Sequence, residues 1–257
     1  MQLFKTSGIV IRQVNFGESN KIVTVLTRDK GKIQAVARGA RKTKNSLMPA
    51  TQLFCYSNFI FYQGKSMIYI NQVELREAFY NLRVNLEKLT YASYLLELVN
   101  TITQENEKEE KIFLLLAHTL KHMAYSSDIN DDLITLAFQI KLIAMSGYAP
   151  HLNDCVSCGN PLSEKIKMSA KMGGILCPQC FHFDTFAMGL NQEARKVLLF
   201  LLYQPLYKLI ELTISKETIK KLLRIMNTYI SICLEKPFHS LNFLKTIEGN
   251  QKMNNNY

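Results

Sequence analysis

Two Cys-x-x-Cys pairs, Cys155 with Cys158 and Cys177 with Cys180, lie 18 residues apart and constrain this chain more than any other feature. Each two-residue gap lets a tight turn aim both thiolates at one point, and two such turns supply the four sulfurs that tetrahedral zinc takes. Gly159 and Pro178 suit those turns. The surrounding segment, 151–184, is enriched in Gly, Pro and Cys and has little helical periodicity, so it reads as an insertion. A piece of about 30 residues cannot bury enough surface to hold itself together, so one zinc ion is expected to supply its folding free energy. Four thiolates leave no open ligand position, which makes the site structural. A pair of redox dithiols is the competing reading, but it usually precedes a helix in a βαβ context that is missing here. His151 and His182 flank the pairs and are candidate replacement ligands.

The second constraint is charge. Of the chain's net +10, a net of +8 sits in the first 50 residues, where ten cations face two anions. In the same region β-branched runs recur between turn signals at 8–14, 22–27 and 33–37, followed by 52–62 and 67–75. Five short strands in about 75 residues argue for a small barrel or sandwich. Asn15-Phe16-Gly17, Arg28-Asp29-Lys30-Gly31 and Gln63-Gly64-Lys65-Ser66 supply the residues for tight reversals. Strands that alternate apolar and cationic residues, as over 32–38, put one face in the core and a cationic face in water. The stretch 38–49 is too polar and basic for a buried strand and reads as an exposed loop that extends this charge. Nucleic acid is the expected partner of such a surface, through Arg12, Lys21, Arg28, Lys32, Arg38, Arg41, Lys42 and Lys44. Phe16, Phe54, Tyr56, Phe59, Phe61 and Tyr62 include candidate base-stacking platforms, though strand aromatics more often pack inward.

From about residue 77 the period changes. Leu82, Leu86, Leu89, Leu96 and Val99 are spaced for one helix face, and further helices are expected over 109–125, 131–146, 192–203 and 216–234. Asp131 and Asp132 favour a helix start, and Gly147 followed by Pro150 gives a stop. The Asn-rich end reads as a frayed tail.

Several classes are excluded. The longest apolar run, 197–203, has seven residues, where about 20 are needed to cross a bilayer. No secretory signal pattern opens the sequence, so a cytoplasmic protein with reduced cysteines is expected. Gly64-Lys65-Ser66 lacks the Gly five positions earlier that a phosphate loop requires, since residue 59 is Phe. His118 and His122 are one helical turn apart, but residue 119 is Thr and not the Glu of a zinc protease. Cys55 and Cys233 read as small buried hydrophobes. No nucleophile, carboxylate pair or cofactor loop is evident, so no catalytic residue and no enzyme are expected.

The opening carries Gly8-Ile9-Val10, Phe16-Gly17-Glu18-Ser19, Val25-Leu26-Thr27, Gly31-Lys32-Ile33 and Ala37-Arg38-Gly39-Ala40-Arg41-Lys42. The middle carries Gly147-Tyr148-Ala149-Pro150, Cys155-x-x-Cys158-Gly159 and Gly173-Gly174-Ile175-Leu176-Cys177-x-x-Cys180, and the end carries Ser240-Leu241-Asn242-Phe243-Leu244. In their joint order these motifs resemble the bacterial recombination mediator family RecO, from which Pro237-Phe238-His239 departs, since basic residues are more usual there.

The resemblance implies an α+β chain: an N-terminal five-stranded OB-fold barrel over 1–78, an all-helical domain over 79–150 and 185–245, an inserted four-cysteine zinc module over 151–184 and a disordered tail over 246–257. It implies a DNA repair mediator of the RecF pathway, located in the cytoplasm with the nucleoid. Such a protein binds single- and double-stranded DNA, anneals complementary strands and helps load the RecA recombinase on strands coated by single-strand-binding protein. RecR and the C-terminal tail of single-strand-binding protein are the implied protein partners. A groove with a nearby Lys or Arg among the helices of 82–125 and 131–146 is the expected seat for that tail. The alternatives are a zinc-containing OB-fold RNA-binding factor and an adaptor whose basic face meets an acidic protein.

Overall fold

A computed structural model describes residues 3–126, 128–238 and 240. Of these, 3–126 and 240 form one compact unit and 128–238 a second. The expected tail, and the motif residues after Ser240, lie outside the described residues.

The first unit opens with β1 (Leu3–Phe16), β2 (Asn20–Thr27), β3 (Gly31–Ala37), β4 (Tyr56–Gln63) and β5 (Ile68–Glu77). They close into a barrel in the order β1-β2-β3-β5-β4, which is the five-stranded OB arrangement. The length of β1 makes closure possible. Its first half pairs with β4 and its second half with β2, and a register shift between Val10 and Arg12 bends it from one neighbour to the other. β3 and β5 run parallel and meet only at Ala35, Val36, Ile68 and Tyr69.

Alternation along the strands sends Val10, Val23, Val25, Ile33, Ala35, Phe59, Phe61 and Ile70 into the barrel core. The basic stretch after β3 is exposed at Arg38, Arg41, Lys42 and Lys44, but its end is not a loop. Its last residues coil into α1 (Leu47–Ala50), and Leu47 and Ala40 join the barrel core. Basic residues keep the first part in water, while the apolar residues that follow cap one end of the core.

A second apolar layer lies on the outside of the barrel. Ile9 pairs with Leu26 across β1 and β2 on the face opposite the core, yet both are fully buried. They are covered because α3 (Leu86–Ile102) and α4 (Glu110–Tyr125) pack on these strands. The single helix face read over 82–99 is broken in two. α2 (Asn81–Val84) ends at Asn85, whose extended backbone lets its side chain accept the Lys88 amide and start α3 afresh. The break resets the helical phase, so Leu82 and Val99 are buried while Leu86 is exposed.

In the second unit, α5 (Asp131–Met145) starts at Asn130, whose side chain accepts the Asp132 amide. It is buried almost all round, packed by α6 (Gln192–Tyr203) and α7 (Lys216–Cys233). Lys141 reaches from α5 to the carbonyls of Leu202 and Gln204, placing a cation at the C-terminal end of α6. Between α5 and α6 a small antiparallel sheet forms in the order β7-β6-β8, from β6 (Ile166–Ser169), β7 (Gly174–Leu176) and β8 (Met188–Leu190). Strands of three and four residues are too short to show a period of two in the sequence. No described helix is long and apolar enough to cross a membrane.

Candidate metal centre and nucleic-acid interface

The inserted segment brings Cys155, Cys158, Cys177 and Cys180 together, with all four sulfurs within 4.8 Å of one another. A zinc–sulfur bond of about 2.3 Å puts the edge of a tetrahedral sulfur cage at about 3.8 Å. The Cys158 and Cys177 sulfurs are 3.7 Å apart, so the thiols fit such an ion. Backbone groups complete the cage: the Cys177 amide donates to Cys155 Sγ at 3.4 Å. Burial pushes the Cys155 thiol up, but the amides of Cys177, Cys158 and Ser157 outweigh it and bring the group down to about 6. Cys180, where burial dominates, is pushed up to about 12. A cation among the sulfurs would hold all four as thiolates. The cysteines would anchor it, and its contribution would be to tie the two turns together.

The fold supports this cage locally. The 3-10 turn Pro178–Phe183 carries Cys180, and the Cys180 amide donates back to the Cys177 carbonyl. Gly174 lets the first knuckle pack on β7, because a Cβ there would fall 2.6 Å from the His151 carbonyl oxygen. Neither flanking histidine joins the cluster. The His151 imidazole lies 2.6 Å from Asp154, and His182 packs on the Phe183 ring.

The predicted cations divide into two groups. Arg28 and Lys32 are engaged by the chain itself: Arg28 Nε donates to Glu110 at 2.9 Å, and Lys32 Nζ donates to the Asn100 carbonyl in the last turn of α3 at 2.7 Å. The α3–α4 connection, with Glu105, Glu107 and Glu109, runs beside β3. The Asn106 amide donates to the Lys32 carbonyl, and Glu105 accepts from Gln34. Gly31 permits this approach, since its φ is +69° and a Cβ would stand 2.0 Å from the Glu107 carbonyl oxygen.

The second group gathers where the β1–β2 turn meets the loop after β3. Arg41 donates through its side chain to the Gly17 carbonyl and through its amide to the Ser19 carbonyl, while Asn20 accepts the Gly39 amide. Lys21 donates to Gln13 at 2.8 Å, and partial burial followed by the Arg41 charge lowers its pKa. Arg12, Arg38, Lys42 and Lys44 are exposed.

The aromatic candidates divide as well. Phe54, Phe59 and Phe61 are fully buried, Tyr56 packs edge-on against Phe113, and Phe16 is exposed on the β1–β2 side. Tyr62 lies on the outer surface stacked on Tyr69, a residue the sequence reading did not single out. Its outward position on β5, between the core residues Ile68 and Ile70, was the available signal.

One further cavity, of about 310 Å³, opens beside α4. Phe79, Phe113, Leu114 and Ala117 form its apolar lining, and Arg28, Arg76, His118 and Lys121 stand around it together with one carboxylate, Glu77.

A closed OB-type barrel with cationic loops, followed by helices that carry a four-thiol cage, defines the class of this protein. Two family descriptions match consecutive stretches: Recombination protein O N terminal over residues 1–79 and Recombination protein O C terminal over 83–242. A protein of Alkaliphilus metalliredigens named DNA repair protein RecO is 38% identical over 95% of this chain and 100% of its own length. Proteins of the same name from Acetivibrio thermocellus and Symbiobacterium thermophilum are each 35% identical, over 96% and 97% of this chain and 98% and 99% of theirs. The chain belongs to the RecO family of DNA repair proteins.

Proposed function

We propose that this chain is a non-enzymatic mediator of recombinational DNA repair in the RecF pathway, acting in the cytoplasm on the nucleoid. Residues 1–78 serve as the DNA-binding domain, 79–150 and 185–245 as the helical domain, and 151–184 as a module folded around one zinc ion held by Cys155, Cys158, Cys177 and Cys180. The observation that carries the reading is the cluster of exposed cations beside the β1–β2 turn of an OB barrel, in a chain of a DNA repair family.

Two complementary strands repel each other, and a cationic surface holding them lowers the cost of their encounter. Arg12, Lys21, Arg38, Arg41, Lys42 and Lys44, none of them paired with a carboxylate among the described residues, are the contributors, with Arg28 and Lys32 recruited when Glu110 and the Asn100 carbonyl release them. If about five cations engage phosphates, log K falls with log salt at a slope of roughly −3.5 to −4.5. The cavity beside α4 has the chemistry for an acidic, aromatic-ended peptide, such as the tail of single-strand-binding protein. RecR is the other expected partner, and RecA loading the outcome.

The test is annealing of complementary fluorescent strands coated with the cognate single-strand-binding protein, without ATP, across a salt series. Acceleration that fades as salt rises is expected, and Arg38→Glu, Arg41→Glu and Lys42→Glu together should abolish it with folding intact. No acceleration of coated or naked strands would sink the proposal.

A further inference from the structure

Outward-facing positions, two on β1 and one on each other strand, form an apolar row around the barrel. The register joins Val14 to Ile22, Ile22 to Val36, Val36 to Tyr69, Tyr69 to Tyr62 and Tyr62 to Leu3. These positions alternate with core residues and turn away from the barrel interior. The helices cover the neighbouring outward pair Ile9 and Leu26, and the acidic connection runs beside Lys32 and Gln34, but in this row only Val36 is buried, while Ile22, Tyr69 and Tyr62 are half-buried and Val14 and Leu3 exposed. At its centre the Tyr62 and Tyr69 rings stack at 4.9 Å and 12°, and the Arg38 guanidinium lies 4.3 Å from the Tyr69 ring centre. A cleft of about 360 Å³ adjoins it where β3 and β5 part, lined by Ile22, Val36, Gln63 and Met67 among others.

We propose that the Arg38–Tyr69–Tyr62 column is a base-stacking platform for single-stranded DNA. It rests on the DNA-binding reading above and adds to it a strand selectivity that phosphate contacts alone do not give. The bases of a single strand are free to add to a column of planar groups, whereas those of a duplex are already stacked on one another. A guanidinium held over a ring contributes a plane and a charge together, which a Lys at the same place does not. Because stacking needs no counterion release, the platform raises single-strand affinity without changing its salt slope.

The experiment compares a labelled oligo-dT with a hairpin duplex of equal phosphate count, across salt, for the wild type, Y62L/Y69L and Y62F/Y69F. The leucine pair should weaken oligo-dT binding about tenfold or more, with the duplex affinity and both salt slopes unchanged, and the phenylalanine pair should retain wild-type binding. Equal loss on both ligands, or no loss, overturns the platform while the DNA reading stands. A wild type that binds neither ligand overturns the DNA reading and the platform with it. Should the leucine pair not fold, Tyr69→Trp decides the matter: the chain contains no tryptophan, so its emission reports one site. Quenching by oligo-dT and not by the duplex is expected, and emission unchanged by oligo-dT overturns the platform.

Discussion

At the residue scale, the end of β5 depends on one carboxylate. Glu77 accepts the Tyr125 hydroxyl at 2.6 Å and the Phe79 amide at 3.0 Å, holding Phe79 at a φ of +45°. Partial burial pushes its carboxyl up, but Tyr125, the amides of Phe79 and Ala78 and the Lys121 charge outweigh it and hold it below the ordinary carboxylate range. A depressed carboxyl stabilises the fold fully above its unfolded pKa, and that contribution is lost as pH falls through the lowered value. Tyr125 is raised to about 12 by its bond to Glu77, so its own contribution holds below about 10 and fades as pH climbs to about 12. Glu77→Gln should therefore cost about 1 kcal/mol at neutral pH and flatten the acid limb of the stability profile, as read by urea unfolding. An unaltered acid limb would remove Glu77 from this role. Legibility in the sequence also divides at this scale. The four cysteines were readable because each knuckle is set by residues three apart. Tyr69 was not, since its column joins residues 7 and 31 positions away through strand register.

At the element scale, the five strands and most helices declared themselves through period and punctuation, and the differences have local causes. β1 extends beyond its apolar run because a bulge lets one strand serve two neighbours. The α2–α3 break follows from Asn85, which competes for the helix amides as a cap. Around the α3–α4 connection the chain engages part of its own basic surface, since Glu110 at the start of α4 pairs with Arg28, the Asn100 carbonyl takes Lys32 and Glu105 accepts from Gln34. Neutralising Glu105, Glu107 and Glu110 to Gln should raise oligonucleotide affinity roughly two- to fivefold at low salt and have no effect at high salt. Fluorescence anisotropy checks this, and affinity unchanged at low salt would show that the acidic connection does not compete with DNA.

At the scale of the whole molecule, the barrel lies in one compact unit and the four-thiol cage in the other, so loss of a metal from the cage is expected to leave the barrel folded. The purified protein should carry one zinc per chain, with few of its six thiols reacting quickly with a disulfide reagent. Cys55 is protected by burial, which raises its pKa although Arg83 opposes the shift. Chelation, or Cys155→Ser with Cys158→Ser, should unfold the inserted module and leave salt-dependent DNA binding by the barrel within about threefold of wild type. Four fast-reacting thiols in a stable, metal-free native protein would refute the zinc assignment. The sequence by itself determined the metal-type cage, the barrel's strands, the helices and the charge asymmetry. Each of these is written in spacings of two to four residues or in composition, which act before the chain folds. Only the tertiary structure decided which cations the chain itself engages, which outward faces the helices cover and that two tyrosines and an arginine share one column. Those outcomes depend on register and packing between residues distant in the chain, and no local propensity encodes them.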